Sequence, residues 1–445
     1  MSFYMYICNQ IKKRIIMIQE FKIKNFLSFK DEVRFSFEAS NDTFAETSQV
    51  VKINKNTRLL RFAVVYGYNA SGKSNLLKAF EFLVGFWFKK QNDPYKSIRI
   101  NPFKLNQSSK NEHSFFELVF YVNGVKYWYQ LELDQSMIFF EKLSYYNYKS
   151  TEPVRLFERK IESGQTVISF GDLEVNEVVK DNITILCLNN MSFFAAREQV
   201  NTQIPLIDAA KEWMREKFMD IITPSTNLTA YAQRKSSDDE DLKKYIINFL
   251  READFNISNI NTDVVNSGIP EGLLDMLLKM RDLPAEEKER IRNEKTFKQL
   301  RTEFFHTVEN NKGAETYPLS LDDEEESDGT VRTFGIEAAI YSALNKNSFL
   351  AIDEIENSLH PKLLEKILFE FLKQKSQSQL LVTTHNDGLL DLVDDLIRKD
   401  SIWFTEKQKS GITELYKLSD FRALNHLSSI REAYRNKRFG ATKGS

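Results

Sequence analysis

Cysteine and histidine are scarce in this chain: Cys8 and Cys187 are its two thiols, and five histidines are scattered among 445 residues. Two thiols cannot form a disulfide framework or a cysteine-rich zinc site, so the composition argues against a structural metal and fits a reducing cytoplasm. Long apolar runs are missing as well. None approaches the roughly 20 residues that a membrane-spanning helix requires. The opening stretch, Met1–Met17, is broken by Lys12, Lys13 and Arg14 and lacks a small-residue cleavage site, so it reads as an extension rather than a signal peptide. Nor is one charge in excess. With 61 basic and 63 acidic side chains the net charge is -2, and any nucleic-acid contact would need a local basic patch. There is no internal repeat and no sustained heptad pattern, which argues against extended coiled-coil arms.

What is present is strongly patterned. Ile18–Phe37 alternates as two strands around a turn, and Arg61–Tyr66 is an apolar strand running straight into Gly67. After Ser74, the stretch Asn75–Val84 has the 3.6-residue spacing of an amphipathic helix. Residues 115–148 return to strand character, with Asn123-Gly124 as a hairpin turn inside an antiparallel meander. Between about 200 and 320 the chain turns charged and helical, with Ile204–Ile222, Asp239–Ala253 and Glu286–Asn310 the best helical segments. From Gly329 the order becomes helix (Val331–Leu344), strand (Ser348–Ile352), helix (Pro361–Lys373), strand (Gln379–Val382). Such alternation predicts parallel βα units that complete the sheet begun near Val64.

Three segments carry chemistry. Gly67-Tyr-Asn69-Ala70-Ser71-Gly72-Lys73-Ser74, followed by Asn75, fits the P-loop, whose glycines let backbone N–H groups wrap phosphates at a helix N-terminus. Lys73 is expected to reach the β- and γ-phosphates of ATP, and Ser74 to place its hydroxyl on Mg²⁺. The apolar strand ending in Asp353-Glu354 suits a second contact to Mg²⁺ from Asp353, direct or through water, with Glu354 polarising the attacking water. Thr383-Thr384-His385 ends the next strand and puts a histidine at the same sheet edge. An acidic run, Asp322–Glu326, reads as a solvated loop.

The order P-loop, Ser327-Asp328-Gly329-Thr330-Val331-Arg332, Asp353-Glu354-Ile355-Glu-Asn-Ser-Leu359-His360-Pro361, Thr384-His385 resembles the SMC-like ABC ATPases. More narrowly it is similar to their compact prokaryotic branch, which includes ATPase subunits of phage-defence systems of the PARIS, Septu and RloA type. The likeness runs from Ile18 through Asn101-Pro102-Phe103 to the tail Tyr434–Ala441, where Lys437 replaces the first glycine of the family's ending. It implies an α/β fold, an ABC-type P-loop NTPase with a mixed sheet, an antiparallel β-meander and an inserted helical subdomain. The corresponding boundaries are 1–17 extension, 18–199 ATPase lobe, 200–320 helical insertion and 321–445 second part of the ATPase lobe. It also implies that Ser327 and Gly329 act in trans on the γ-phosphate of ATP held by another protomer. Gln107 takes the place of the glutamine that bridges nucleotide and Mg²⁺, and His385 that of the switch histidine.

The function implied is that of a cytoplasmic ATPase sensor of an anti-phage system. It would form a homodimer or higher oligomer through ATP and control a separate effector, a nuclease or toxin, with DNA or a phage protein as trigger. The stretch after His385 is too short for a second catalytic domain, which is why the effector is expected on another polypeptide. The insert and the tail from Arg431 to Ala441 are the expected partner surface. The alternative is a DNA-binding repair or recombination ATPase of RecF type.

Overall fold

The computed structural model describes residues 15–147, 152–171, 173, 175–253, 255–269, 271–279, 285–310, 313–321, 325–421, 424, 427, 429–436, 438 and 439. The 1–17 extension lies almost wholly outside these residues, as do Asp322–Glu324, Lys437, Gly440 and Ala441. The chain forms two compact units. One comprises the chain up to Pro224 with Ala343–Asn357 and the stretch from Leu368 onward; the other comprises Ser225–Ser342 with Ser358–Ile367. The fold is α/β, the first unit holding a seven-stranded antiparallel sheet, a five-stranded largely parallel sheet and a two-stranded antiparallel ribbon, Val50–Lys52 with Arg58–Leu60.

The meander and the N-terminal hairpin make a single seven-stranded sheet, ordered Gln165–Phe170, Pro153–Glu162, Ile138–Tyr146, Val125–Leu133, Ser114–Val122, Met17–Lys24, Val33–Ser36. Asn123 and Gly124 both take positive φ, 51° and 80°, as a tight two-residue hairpin with right-handed strand twist demands. The second sheet is ordered Phe349–Ile352, Gln379–Thr384, Phe62–Tyr66, Ile402–Lys407, Thr413–Lys417, its first four strands parallel. All five residues of Phe62–Tyr66 are buried, as a strand covered on both faces must be.

Between the sheets lies the helix Lys73–Phe88. Phe80 packs on Phe21 of the meander sheet, ring centroids 4.2 Å apart, and on Phe349 of the parallel sheet at 5.2 Å. Trp87 stacks on Phe194 at 3.8 Å. Pro205–Lys217, counted with the insertion on its periodicity, buries Ile207, Ala210, Trp213 and Met214 in this same core. The helix was expected to continue to Ile222 but stops at Lys217. Phe218–Ile222 instead runs along the edge strand Phe349–Ile352, with Met219 N–H donating to Phe349 O (3.0 Å) and Ile222 N–H to Ala351 O (2.9 Å). An uncovered strand edge needs backbone partners, and this segment supplies them.

In the second unit, helices Leu228–Asp238 and Glu240–Glu252 accompany a three-stranded antiparallel sheet, Ile257–Gly268, Thr296–Asn310, Gly313–Ser320. The expected helix Glu286–Asn310 is helical only in Ala285–Glu294; Lys295 has φ 51° and the rest is a fifteen-residue strand. Its charges mimic helical spacing, but Thr302 and Phe304 alternate inward, and Phe304 meets Phe334 edge-on at 5.4 Å. Pairing along both neighbouring strands decides the conformation over local propensity.

One polar feature of the first unit's core has a measurable consequence. Glu141 and Arg159 are cross-strand partners with fully buried side chains, 3.4 Å apart. Arg159 also donates to Met191 O and Leu188 O, while Glu141 accepts from Tyr129 Oη (2.9 Å) and Phe193 N–H (2.9 Å). Removing one partner strands the other charge in the core. Arg159→Ala is expected to destabilise the protein by about 3–5 kcal/mol, seen by calorimetry as a lowered unfolding midpoint; an unchanged midpoint would show that the pair is replaceable by solvent.

Candidate nucleotide site

The site is built by strand register. Val64 pairs with Val382, Val382 with Ile352, and Tyr66 with both Thr384 and Phe404. Three adjacent parallel strands therefore end within two residues of one another, delivering Gly67, Asp353 and His385 to the same carboxyl-terminal edge, where open α/β sheets bind ligands. The register brings together Gly67–Asn75, Asp353, Glu354 and His385.

The P-loop is held tightly from beneath. A Cβ on Gly67 would lie 2.3 Å from Thr405 Oγ1 and 2.7 Å from the Thr405 carbonyl, so any larger residue would displace the backbone. Gly72 has φ 114°, and a Cβ there would meet Thr413 Oγ1 at 2.4 Å. Both contacts come from the last strand pair of the sheet, which also fastens Ser71: its hydroxyl pairs with Thr405 Oγ1 at 2.6 Å, and its carbonyl accepts from Thr413 Oγ1 at 2.7 Å. Asn75 Nδ2 donates to Ser28 Oγ at 2.7 Å. Asn69 and Ala70 stand exposed, with Ala70 at φ 64°, and Ser74 is half-buried.

Lys73 is only 4% exposed. Its ammonium donates to the carbonyls of Gly67 (2.6 Å) and Tyr68 (3.1 Å), folding back over its own loop. Burial pushes its pKa down, and the negative charges of Glu354, Glu356 and Asp353 oppose that shift without cancelling it. A buried cation with two carbonyl partners and incomplete charge compensation is suited to an added anion.

Across the edge, Thr383 organises the carboxylates. Its hydroxyl donates to Asp353 Oδ1 at 2.5 Å and accepts the Glu354 N–H at 2.9 Å. Glu354 has φ 47°, a left-handed conformation that a non-glycine residue adopts at some cost. Glu356 holds His385 by two bonds to one oxygen, Oε1: the His385 N–H at 2.7 Å and ring Nδ1 at 2.8 Å. That arrangement leaves Nε2 as the free ring nitrogen, on a side chain that is 55% exposed. Sequence reasoning missed both Thr383 and Glu356. The signal for Glu356 was the third carboxylate of Asp353-Glu354-Ile355-Glu356; for Thr383, its position opposite Asp353 appears only once the strands are paired.

The strand register does not itself place the remaining expected residues. Gln107 is exposed on a turn ahead of the short 3-10 helix Ser109–Asn111, and among the described residues no hydrogen bond ties it to Ser74 or Asp353. Ser327 and Gly329 belong to the second unit, where Ser327 Oγ accepts the Thr330 N–H (3.1 Å) at the start of helix Asp328–Lys346. Arg431, Tyr434 and Arg435, expected to face a partner, are engaged within the chain. Among the described residues, no group of three or more His, Cys, Asp or Glu side chains is placed to hold a metal ion, and no helix is long and apolar enough to cross a membrane.

The chain is similar to the SMC head domain from Thermotoga maritima at 14% identity, over 90% of this chain and 98% of that one, with a TM-score of 0.39. It is similar to an SMC head bound to the C-winged helix domain of ScpA at 11% identity, over 91% and 99%, with a TM-score of 0.44. A third is an Smc head domain with an extended coiled coil bound to the C-terminal domain of ScpA, derived from Pyrococcus furiosus, at 12% identity, over 95% and 99%, TM-score 0.37. No curated protein matches the chain. The family model described as "AAA domain, putative AbiEii toxin, Type IV TA system" matches residues 62–391, from the P-loop strand to beyond His385. With most of its length inside that match, and with the P-loop, the paired carboxylates and the histidine on one edge of its parallel sheet, the chain belongs to this family of AAA-domain proteins.

Proposed function

We propose that the chain binds ATP with Mg²⁺ at this edge, hydrolyses it, and uses the cycle to close and open a dimer that controls a separate effector in anti-phage defence. The observation that carries the chemical part is the shared sheet edge at which the P-loop, Asp353, Glu354 and His385 meet, with Lys73 near enough to feel the charges of Glu354, Glu356 and Asp353. The residues suit the ligands. Gly67 and Gly72 leave the backbone free to approach phosphate, and Lys73 is a buried cation short of negative charge. Ser74 and Asp353 would hold Mg²⁺, which when bound neutralises phosphate charge; an ion that keeps several waters and substrate oxygens needs no all-protein cage.

Hydrolysis then assigns one task to each group. Glu354 accepts a proton as water forms a bond to the γ-phosphorus, and the bond from that phosphorus to the β,γ-bridging oxygen breaks to give ADP and phosphate. His385, fixed through Nδ1 by Glu356, would offer Nε2 to the γ-phosphate, donating to it as the imidazolium. Thr383 keeps Asp353 and Glu354 in their separate roles. Ser327 and Gly329 would complete the site of a second protomer, with Gly329 allowing close backbone approach and the N-terminal end of the helix favouring anionic oxygens. The family description, which mentions a toxin–antitoxin system, supports the defence context.

Lys73→Ala should lower ATP affinity by about 10–100-fold, the weight of charge-assisted hydrogen bonds, with the fold intact by circular dichroism. Calorimetric titration checks this, and undiminished affinity would remove Lys73 from the site. Glu354→Gln preserves shape but not basicity. Turnover should fall by about 10²–10⁴-fold, while sedimentation in ATP shows dimer accumulating; wild-type phosphate release would exclude Glu354 as the base.

A further inference from the structure

The C-terminal tail is the one sequence motif that neither nucleotide binding nor hydrolysis has absorbed. Its helix Ile430–Arg435 is capped by Ser429 and lies on the 3-10 turn Asp387–Leu392, which begins two residues after His385. Arg431 Nε donates to Asp387 Oδ1 (3.0 Å) and its Nη1 to Asp391 Oδ2 (2.5 Å). Arg435 donates to both Asp387 oxygens, Nε to Oδ2 at 2.5 Å and Nη2 to Oδ1 at 3.1 Å. Burial of Asp387 is outweighed by these two guanidiniums, which hold its carboxyl below the usual carboxylate range.

Exposed ion pairs are individually weak because two long side chains must be ordered to make each one. Here a shared apolar anchor does the ordering. Tyr434, only 6% exposed, stacks on Phe404 with centroids 5.5 Å apart and meets Tyr66 at 6.1 Å. Tyr66 is the last residue before Gly67, and Phe404 is its neighbour in register. Farther along, Phe439 stacks on Phe404 at 5.6 Å, and its carbonyl accepts from the Tyr416 hydroxyl. One short helix therefore touches both the strand end that feeds the P-loop and the turn that follows His385.

We propose that this tail is a positioning strap for the ATP site: Arg431 and Arg435 fix the His385 loop through Asp387, while Tyr434 fixes the same helix to the P-loop strand. His385 is then held from two sides, by Glu356 at its backbone and ring and by the arginines two residues downstream. The amides of Gly67–Ser74 and the Lys73 ammonium, on which ATP affinity depends, make none of these contacts. Loosening the strap therefore misplaces His385 and slows hydrolysis while leaving ATP bound as before.

The inference rests on the ATPase reading above, so wild type and Lys73→Ala are measured alongside. Arg431→Ala with Arg435→Ala should lower kcat by about tenfold or more with the ATP dissociation constant held within about twofold of wild type. Reversing all the charges together, Asp387→Lys and Asp391→Lys with Arg431→Glu and Arg435→Glu, should recover most of the loss, which a merely destabilised tail would not do. If wild type turns over ATP and the double alanine variant does so equally fast, or loses affinity in step with kcat, the strap is overturned. The same holds if charge reversal fails to restore turnover. If wild type shows no turnover at all, the ATPase reading has failed; the strap is then read from hydrogen exchange of segment 384–392, which must accelerate in the double alanine variant, and unchanged protection there overturns it.

Discussion

The parallel pairing of Phe62–Tyr66 with Gln379–Thr384, and of the latter with Phe349–Ile352, is the constraint from which the rest of the site follows. Parallel neighbours in a twisted sheet point the same way, so loops leaving their carboxyl ends converge whatever their sequence. Chemistry needs only that one strand be followed by glycines and lysine, one by paired carboxylates and one by histidine. The two outer contacts complete the frame: Phe218–Ile222 closes the edge beside Asp353, and Ile402–Lys407 with Thr413–Lys417 clamps the P-loop through Thr405 and Thr413. A shift of one residue between strands would turn every side chain to the opposite face and dissolve the constellation.

Electrostatics work against burial at this edge. Lys73 loses stability as a cation by leaving water, and three nearby carboxylates only partly restore it. Glu354 occupies a backbone conformation that costs energy unless its surroundings impose it; the Thr383 hydroxyl on its N–H and the Ile355 N–H bonded to the Thr383 carbonyl do so. Preorganisation of this kind is set during folding, before any substrate arrives. Ile355, fully buried, anchors the turn between Glu354 and Glu356.

Much of the first unit was legible because its signals were local. A strand, a glycine loop and an amphipathic helix in sequence can hardly be arranged otherwise, and strand Gln379–Thr384 begins where its pattern implies. The meander declared itself through alternation and Asn123-Gly124. What was not legible depends on neighbours distant in sequence. Thr296–Asn310 looks helical alone and is a strand because Ile257–Gly268 and Gly313–Ser320 bond to it from both sides. Phe218–Ile222 was read as helix because an uncovered sheet edge cannot be seen in a sequence. At the site, Glu356 and Thr383 carry no motif of their own; their roles are geometric, as is the pairing of the tail arginines with Asp387.

The same distinction bears on Ser327. A serine at a helix start has an ordinary structural reason to be there, since its oxygen accepts the Thr330 N–H. That reason does not compete with the role proposed for it toward a second protomer's nucleotide. Capping uses a lone pair of the hydroxyl oxygen, whereas a phosphate would take its hydrogen, and one hydroxyl offers both. Thr330 Oγ1, 2.8 Å away, can act as donor or acceptor to Ser327 Oγ, so the pair can rearrange without leaving the cap unsatisfied. Gly329, whose Cβ position would lie 3.3 Å from the Ser358 carbonyl, lets the helix start pack closely against that turn. Capping thus holds the helix end in place through the oxygen of Ser327, while the role proposed for it across an interface calls on the hydrogen.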